Sequence, residues 1–186
     1  MRIIAGLFRG SSLYQPIDKQ TRPLKDITRE SIFNLLLHSK KISVKLCDNR
    51  VLDIFSGTGS FGIECISRGA KEVTFIEKYE PVIKVLEKNI NKLKIQNQCS
   101  IIKKDFFDLK TKNLIKPYDF IFIDPPFGLK NMYELINIII KRKLLTKYGI
   151  IIIHRHKKSL DTFPDLLVEI EQRVYGNSKI TFLTLT

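Results

Sequence analysis

The sequence has no tryptophan and only three cysteines among its 186 residues. Cys47, Cys65 and Cys99 stand far apart, without the C-x-x-C or Cys/His spacing of a zinc or redox site. We therefore expect reduced thiols in a cytoplasmic protein, and no bound metal. Long apolar runs are also missing. The longest aliphatic run, Ile150 to Ile153, is too short to cross a bilayer, and Arg9 interrupts any signal-like segment at the N terminus, so no membrane partner is expected.

Acidic residues are scarce relative to basic ones. The chain has 19 Asp and Glu against 32 Lys and Arg, which gives a formal net charge of +13. Such a surface predicts a polyanionic partner, with nucleic acid the first choice. The alternative is a solvated, lysine-rich surface without that role. The length and the 44% apolar content indicate one well-packed domain, residues 1–186, and not a disordered chain.

Strand and helix patterns alternate from residue 50 onwards. Apolar runs predict strands at 50–55, 72–77, 100–105, 118–124 and 148–155, with helical patterns at 60–69, 81–94 and 132–145 between them. Strands of continuous apolar character suit a parallel sheet that is covered on both faces. We therefore predict an open, doubly wound, mostly parallel α/β sheet. A last helical stretch is expected around Leu160–Gln172, followed by an antiparallel hairpin with its turn at Gly176–Asn177.

Residues 1–49 form a basic N-terminal arm too short to have its own core. Its first part reads as a short hairpin, and a helix follows Pro23, which Asp26 is expected to cap. Ile32, Phe33, Leu35 and Leu36 are expected to face inwards. The arm should pack against the core formed by residues 50–186.

A glycine-rich turn follows the first core strand. In "DIFSGTGSFG", Gly57, Gly59 and Gly62 satisfy G-x-G-x-x-G, and Glu77 lies 20 residues after Gly57, where a ribose-binding acid is expected. This is the fingerprint of a dinucleotide site, so a nicotinamide-dependent enzyme is a serious alternative.

Charge favours S-adenosyl-L-methionine over a dinucleotide at this turn. Asp53 is predicted to place a carboxylate at the strand end, which would repel a pyrophosphate but attract the sulfonium and ammonium of S-adenosylmethionine. Glu77 could accept hydrogen bonds from both ribose hydroxyls. Asp105 could accept from the adenine amino group, with Phe106 beside the ring.

The stretch "YDFIFIDPPFG" ends a buried strand in an acid, two prolines and an aromatic ring. Ligands bind outside the carboxyl ends of strands in such sheets. Asp124 and the Pro125 carbonyl could accept the two hydrogens of an exocyclic amine and so localise its lone pair. Pro126 stiffens the corner, and Phe127 offers a face on which a base can stack.

The order of these motifs resembles methyltransferases that act on exocyclic amines of nucleobases. "MRIIAGLFRG", "TRPLKDITRESIFNLL", "VLDIFSGTGSFGIECISRGA", "FIEK", "FIDPPF" and "YGNSKITF" together resemble the bacterial 16S rRNA guanine(966)-N2 methyltransferase family over essentially the whole chain. The resemblance implies a Rossmann-like class I methyltransferase fold and methyl transfer to guanine N2. It also implies that the partner is 16S rRNA, in an assembling 30S subunit. We expect a monomer.

The resemblance also assigns roles to individual residues. Asp124, Pro125, Pro126 and Phe127 would hold the target base. The cofactor site would be formed by Asp53, Phe55, Gly57, Gly59, Glu77, Lys78, Asp105 and Phe106, with Arg22 and Arg29 from the N-terminal motif, to which Pro23 and Glu30 also belong. One departure is "IIIHRHKK", where the family more often has an acid. We interpret His154 and His156 as rim residues near RNA, since no third metal ligand accompanies them.

Other functions remain open from sequence alone. An adenine-N6 methyltransferase would use similar hydrogen bonds at Asp124, although DNA-acting members usually carry a target-recognition segment for which this chain has no room. A nicotinamide-dependent oxidoreductase would leave Asp53 and the "DPPF" stretch unexplained. A noncatalytic RNA-binding domain is a third alternative, and the intact acids and glycines count against it.

Overall fold

Within the residues that the computed structural model describes, namely 1–16, 24–109, 114, 116–126 and 128–186, the fold is built on a seven-stranded sheet. The strand order is β3-β2-β1-β4-β5-β7-β6. The strands are β1 Arg50–Ile54, β2 Glu72–Glu77, β3 Cys99–Lys103, β4 Tyr118–Ile123, β5 Leu145–His156, β6 Leu167–Tyr175 and β7 Ser178–Leu185. The helices are α1 Asp26–His38, α2 Ser60–Ser67, α3 Glu80–Leu93 and α4 Met132–Lys141. Short 3₁₀ turns lie at Gln96–Gln98 and Phe106–Asp108.

The first five strands are parallel, and β7 inserts antiparallel between β5 and β6. Helices α1, α2 and α3 pack on one face of the sheet through one apolar layer. Helix α4 packs on the other face through a second apolar layer. The predicted doubly wound sheet is therefore confirmed. The antiparallel insertion distinguishes it from the all-parallel 3-2-1-4-5-6 order of dinucleotide-binding folds.

The prediction of a helix around Leu160–Gln172 is wrong. β6 occupies Leu167–Tyr175 instead and pairs antiparallel with β7, with a register shift between Glu169 and Glu171. The free edge of β7 supplies backbone partners for this segment, so strand pairing overrides local helical propensity. The predicted hairpin turn is confirmed, since Tyr175 pairs with Ser178 across Gly176 and Asn177.

The N-terminal arm packs on the α/β core, as expected. Its hairpin closes through an antiparallel bridge between Arg2 and Ser12. In α1, Ile32, Phe33 and Leu36 are buried, whereas Leu35 is half-buried. Asp26 does not cap the helix: the N-cap residue is Lys25, and the Asp26 carboxylate accepts a hydrogen bond from Arg29 at 2.9 Å. No helix among the described residues is long and apolar enough to span a bilayer.

Two buried polar side chains fasten the hairpin to the core. Glu64 in α2 is fully buried, and its carboxylate accepts hydrogen bonds from the backbone N–H groups of Ile4 at 2.8 Å and Ala5 at 3.0 Å. Asn89 in α3 accepts from the Tyr14 N–H at 2.7 Å and donates to the Thr58 carbonyl. The arm is thereby held against the two helices that follow the glycine turn and β2.

Candidate active site

The carboxyl ends of the five parallel strands meet at one edge of the sheet and carry a row of acidic side chains. Across the sheet, in strand order, this row is Asp105 after β3, Glu77 ending β2, Asp53 in β1 and Asp124 after β4, with His154 in β5 at its end. Four carboxylates in succession make the edge electronegative. Such an edge fits a cationic ligand and disfavours a pyrophosphate.

Asp53 lies beneath the glycine turn and is only 1% exposed. Its carboxylate accepts a hydrogen bond from the Gly62 N–H at 3.0 Å, in the first turn of α2. Burial raises the pKa of Asp53 well above its usual range, and the Gly62 N–H opposes that shift, while the charges of Asp124 and Glu77 add to it. A cationic ligand nearby would relieve this accumulation of negative charge.

The glycine turn needs backbone conformations that side chains with a Cβ disfavour. Gly57 and Gly59 have φ of 54° and 78°, and Phe55 adopts φ of 61° despite its side chain. A methyl group on Gly59 would collide with Leu86 in α3. The turn therefore brings α2, α3 and the end of β1 together closely.

Glu77 contacts this turn directly. Its carboxylate accepts from the Gly57 N–H at 2.9 Å and, through the other oxygen, from the N–H groups of Lys78 at 2.8 Å and Tyr79 at 2.9 Å. The side chain is half-buried. It is fixed at the mouth of the turn, and the oxygen that binds Gly57 has one lone pair left for a ligand hydroxyl.

Asp105 and Lys78 form an ion pair at 2.6 Å beside the end of β3. Asp105 also accepts from the Phe107 N–H at 3.0 Å. Burial raises the pKa of Asp105, but the hydrogen bonds from Lys78 and Phe107 outweigh it, so that the pKa lies below its usual value. Phe106 is 1% exposed and packs in the core beneath, while Phe107 is half-buried beside it.

Asp124 follows β4 with its side chain 24% exposed. One carboxylate oxygen lies 2.8 Å from Nδ1 of His154. The Pro126 carbonyl accepts from the Leu129 N–H at 3.0 Å, whereas none of the described residues donates to the Pro125 carbonyl. Asp124 thus presents a half-buried carboxylate at the strand end, whereas Pro125 is buried, and the role of its carbonyl stays a prediction. Phe127 lies outside the described residues.

The N-terminal motif is only partly within the described residues. Arg22 and Pro23 lie outside them, and Glu30 is exposed on α1. Arg29 is not open to a ligand or to RNA, because its side chain is buried. It is 0% exposed, and its guanidinium donates to the Arg2 carbonyl at 2.5 Å and to Asp26. The expectation for Arg29 is corrected to a buried clamp on the hairpin, because an arginine at this position on α1 points into the arm–α2 interface.

The sequence reasoning missed how His154 is connected. Its Nε2 lies 2.9 Å from the hydroxyl oxygen of Ser178 in β7, while its Nδ1 contacts Asp124. No local signal joins these residues, since Ser178 comes to the site only through the antiparallel insertion of β7. In the described part of the chain, no group of three or more His, Cys, Asp or Glu is arranged to hold a metal.

Asp53→Asn is expected to raise the melting temperature at neutral and alkaline pH. The raised pKa of Asp53 means that its contribution to stability is full below the unfolded-state pKa, about 3.9, and is lost as pH rises through the folded-state pKa. Asparagine keeps an acceptor for Gly62 without the charge. Each kcal/mol recovered raises the melting temperature by about 2–4 °C.

Thermal melts at about pH 5 and pH 8 check this, with exposed Asp165→Asn as the matched control. The difference in melting temperature between variant and wild type should increase as pH rises. If the variant melts below wild type, or if the difference in melting temperature is equal at both pH values, then the fold does not disfavour the ionised form of Asp53.

Comparison with known proteins places the chain among methyltransferases. The family model described as Conserved hypothetical protein 95 matches residues 1–184. The ribosomal RNA small subunit methyltransferase D of Haemophilus influenzae is 30% identical over 178 residues, covering 95% of this chain and 89% of the relative. The protein of the same name from Buchnera aphidicola subsp. Acyrthosiphon pisum is 36% identical over 156 residues, covering 84% and 78%.

A solved structure agrees over the whole length. It is yhhF of Escherichia coli, described as a proposed methyltransferase, and it superposes with a TM-score of 0.81 at 28% identity, covering 100% of this chain and 97% of the other. Because the family model spans nearly every residue and relatives of 30% identity or more cover most of the chain, the protein belongs to the Conserved hypothetical protein 95 family, alongside the ribosomal RNA small subunit methyltransferases D.

Proposed function

We propose that this protein transfers a methyl group from S-adenosyl-L-methionine to the exocyclic N2 of one guanine in 16S rRNA. It is a methyltransferase by family, and its relatives are named for the RNA of the small ribosomal subunit. The observation that supports transfer to an exocyclic amine is the Asp124 carboxylate at the end of β4, next to the Pro125 carbonyl, to which none of the described residues donates. The choice of guanine N2 over adenine N6 rests on the resemblance of the motifs to the guanine-N2 family. Two acceptors side by side match the two hydrogens of an exocyclic amine.

The residues around the glycine turn fit S-adenosylmethionine. This cofactor supplies a methyl group on a positively charged sulfur. Asp53 and Asp124 favour that positive charge from adjacent strands, and their charges interact unfavourably without it. Glu77 is placed to accept from ribose hydroxyls, and Asp105 from an adenine amino group. Lys78, tied to Asp105, holds that carboxylate in place.

Asp124 prepares the nucleophile. The lone pair of a guanine amine is delocalised into the ring, so the amine attacks poorly unless both hydrogens are held by acceptors. Asp124 and the Pro125 carbonyl, on a corner stiffened by two prolines, would fix the amine and restore electron density to its nitrogen. The proton released from N2 after transfer passes to the carboxylate or to water. Phe127 is the proposed stacking surface for the base.

The basic surface of the N-terminal arm is the proposed RNA-binding surface. Arg2, Arg9 and Lys25 are exposed on the N-terminal arm, and we propose that they contact phosphates. The expected setting is an assembling 30S subunit in the cytoplasm, with the enzyme acting as a monomer. Of these points, the assembling subunit is tested below, by comparing small subunits with naked 16S rRNA as substrates.

The test is methyl transfer from labelled S-adenosylmethionine to undermethylated small subunits and to naked 16S rRNA, followed by nuclease digestion and identification of the nucleoside. N2-methylguanosine at one site would support the proposal in full. Methyladenosine would overturn the base assignment and keep the fold and cofactor. Binding of RNA without transfer would instead favour a noncatalytic domain, and tight binding of a nicotinamide dinucleotide would overturn the cofactor assignment.

A further inference from the structure

The imidazole of His154 contacts the Asp124 carboxylate, which is proposed to hold the substrate amine. His154 Nδ1 lies 2.8 Å from Asp124 Oδ1, and His154 Nε2 lies 2.9 Å from Ser178 Oγ. The His154 side chain is 13% exposed, against 24% for Asp124. The three side chains form a continuous hydrogen-bonded chain across strands β4, β5 and β7.

The sheet register produces this chain. Ile123 pairs with Ile153 in the parallel β4–β5 ladder, so the next residues, Asp124 and His154, lie side by side on one face. In the antiparallel β5–β7 ladder His156 pairs with Ser178, which places Ser178 diagonal to His154 on that same face. No rotation of the strands is needed to assemble the three groups.

The chemistry of the neighbours fixes the imidazole tautomer. An ionised carboxylate only accepts, so Nδ1 must carry the proton that it donates to Asp124. Nε2 of the neutral ring then accepts from the Ser178 hydroxyl. If the ring gains a second proton, Nε2 becomes a donor and the Ser178 oxygen accepts. The contacts therefore persist in both states, while the charge beside Asp124 changes.

We infer that His154 is a positioning residue for Asp124, and that its neutral form supports the reaction. This inference rests on the proposed function. The Nδ1–H bond occupies one carboxylate oxygen and fixes the carboxylate plane, so that the other oxygen is directed to the substrate amine. A second proton on the ring places a full positive charge against Asp124, which weakens that carboxylate as an acceptor. Activity should therefore decline at acidic pH.

Two cationic side chains near the hydrogen-bonded Asp124, His154 and Ser178 are held by other partners. Lys179 in β7 donates to the Ser159 carbonyl. Arg155 lies on the opposite face of β5 and binds Asp161 at 3.3 Å and the Leu129 carbonyl at 2.8 Å. On the face of His154 itself, Asp53 interacts with Asp124 through charge, and His156 lies two residues along the same strand. Substitution of His154 alone thus separates its effect from theirs.

The first test is the pH dependence of kcat between about pH 5 and pH 8. His154→Asn keeps an N–H donor near the Nδ1 position but cannot take up a proton. We expect it to retain kcat within about tenfold at the alkaline end and to lose most of the acidic decline. His154→Ala should lower kcat by roughly 10–100-fold, the usual cost of removing a side chain that orients an active-site ligand, with little change in KM for RNA. His38 is exposed, and the control variant His38→Asn should keep the wild-type pH dependence of kcat.

The second test does not depend on activity. The chain has three histidines, so nitrogen-15 spectra of the imidazoles can be assigned with single Asn variants. We expect His154 to be protonated at Nδ1 in wild type, and Asp124→Ala to return it to the Nε2-protonated form that exposed histidines favour. An Nε2-protonated wild-type ring, or an acidic decline unchanged in His154→Asn, would overturn the inference. Absence of any methyl transfer by wild type would instead overturn the proposed function, and the spectra would still test the Asp124–His154 contact.

Discussion

Asp124→Ala is expected to lower kcat for methyl transfer by about 10²–10⁴-fold while cofactor binding persists. The variant removes the acceptor that holds one hydrogen of the guanine amine and leaves the Pro125 carbonyl alone. The methyl group of the cofactor stays as electrophilic as before, so the loss falls on nucleophile orientation. It should appear in kcat more than in KM, because the contact matters most as the amine nitrogen gains positive charge.

Two measurements separate chemistry from binding. Initial rates of labelled methyl transfer to undermethylated small subunits give kcat, and calorimetry with S-adenosylhomocysteine gives cofactor affinity. S-adenosylhomocysteine lacks the sulfonium and keeps the ammonium, so its affinity is less sensitive than that of S-adenosylmethionine to the charge of Asp124. Asp165→Ala, at an exposed position, controls for loss of an aspartate. An intact kcat in Asp124→Ala, or loss of S-adenosylhomocysteine binding as the sole defect, would contradict the assigned role.

Glu64→Ala is expected to cost about 3–5 kcal/mol of unfolding free energy. Glu64 is fully buried between two arginines: its carboxylate accepts from Arg68 Nε at 2.8 Å and lies 3.9 Å from Arg29 Nε. Removal leaves the Ile4 and Ala5 N–H groups without their acceptor as well. Arg29 already has buried nitrogens, Nε and Nη1, that find no hydrogen-bond partner among the described residues, so little compensation is available.

Urea unfolding followed by circular dichroism measures this loss. Total stabilities of domains are about 5–15 kcal/mol, so the variant should lose a large share and its midpoint should fall clearly. Glu134→Ala, on the exposed face of α4, is the matched control and should change stability by less than about 0.5 kcal/mol. A midpoint equal to that of the control would show that the hairpin lies outside the cooperative unit.

Much of the fold follows from local pattern. The core strands are short apolar runs and the helices between them carry apolar residues at helical spacing, so element type could be predicted from residues near one another in the chain. The failure at Leu160–Gln172 has the opposite origin. The segment Leu167–Tyr175 is a strand because β7 offers it an edge, and that partner lies beyond the turn at Gly176.

The candidate site divides in the same way. By itself, the sequence determined that Gly57, Glu77 and Asp124 stand at strand ends, because a strand, its terminating turn and the next residue are contiguous. It therefore also predicted the acidic edge, and with it the cationic cofactor. The N-terminal motif shows the limit of this reasoning. The sequence assigned Arg29 to the cofactor site, but the side chain is buried against the arm.

Only the tertiary structure decided which side chains meet across strands. Asp124, His154 and Ser178 are 30 and 24 residues apart along the chain, and they come together through one parallel and one antiparallel ladder. Glu64 meets Ile4 at a separation of 60 residues in the same manner. Hydrogen bonds are short-ranged, so such partners are set by register and layer packing, which emerge only when the whole sheet has formed.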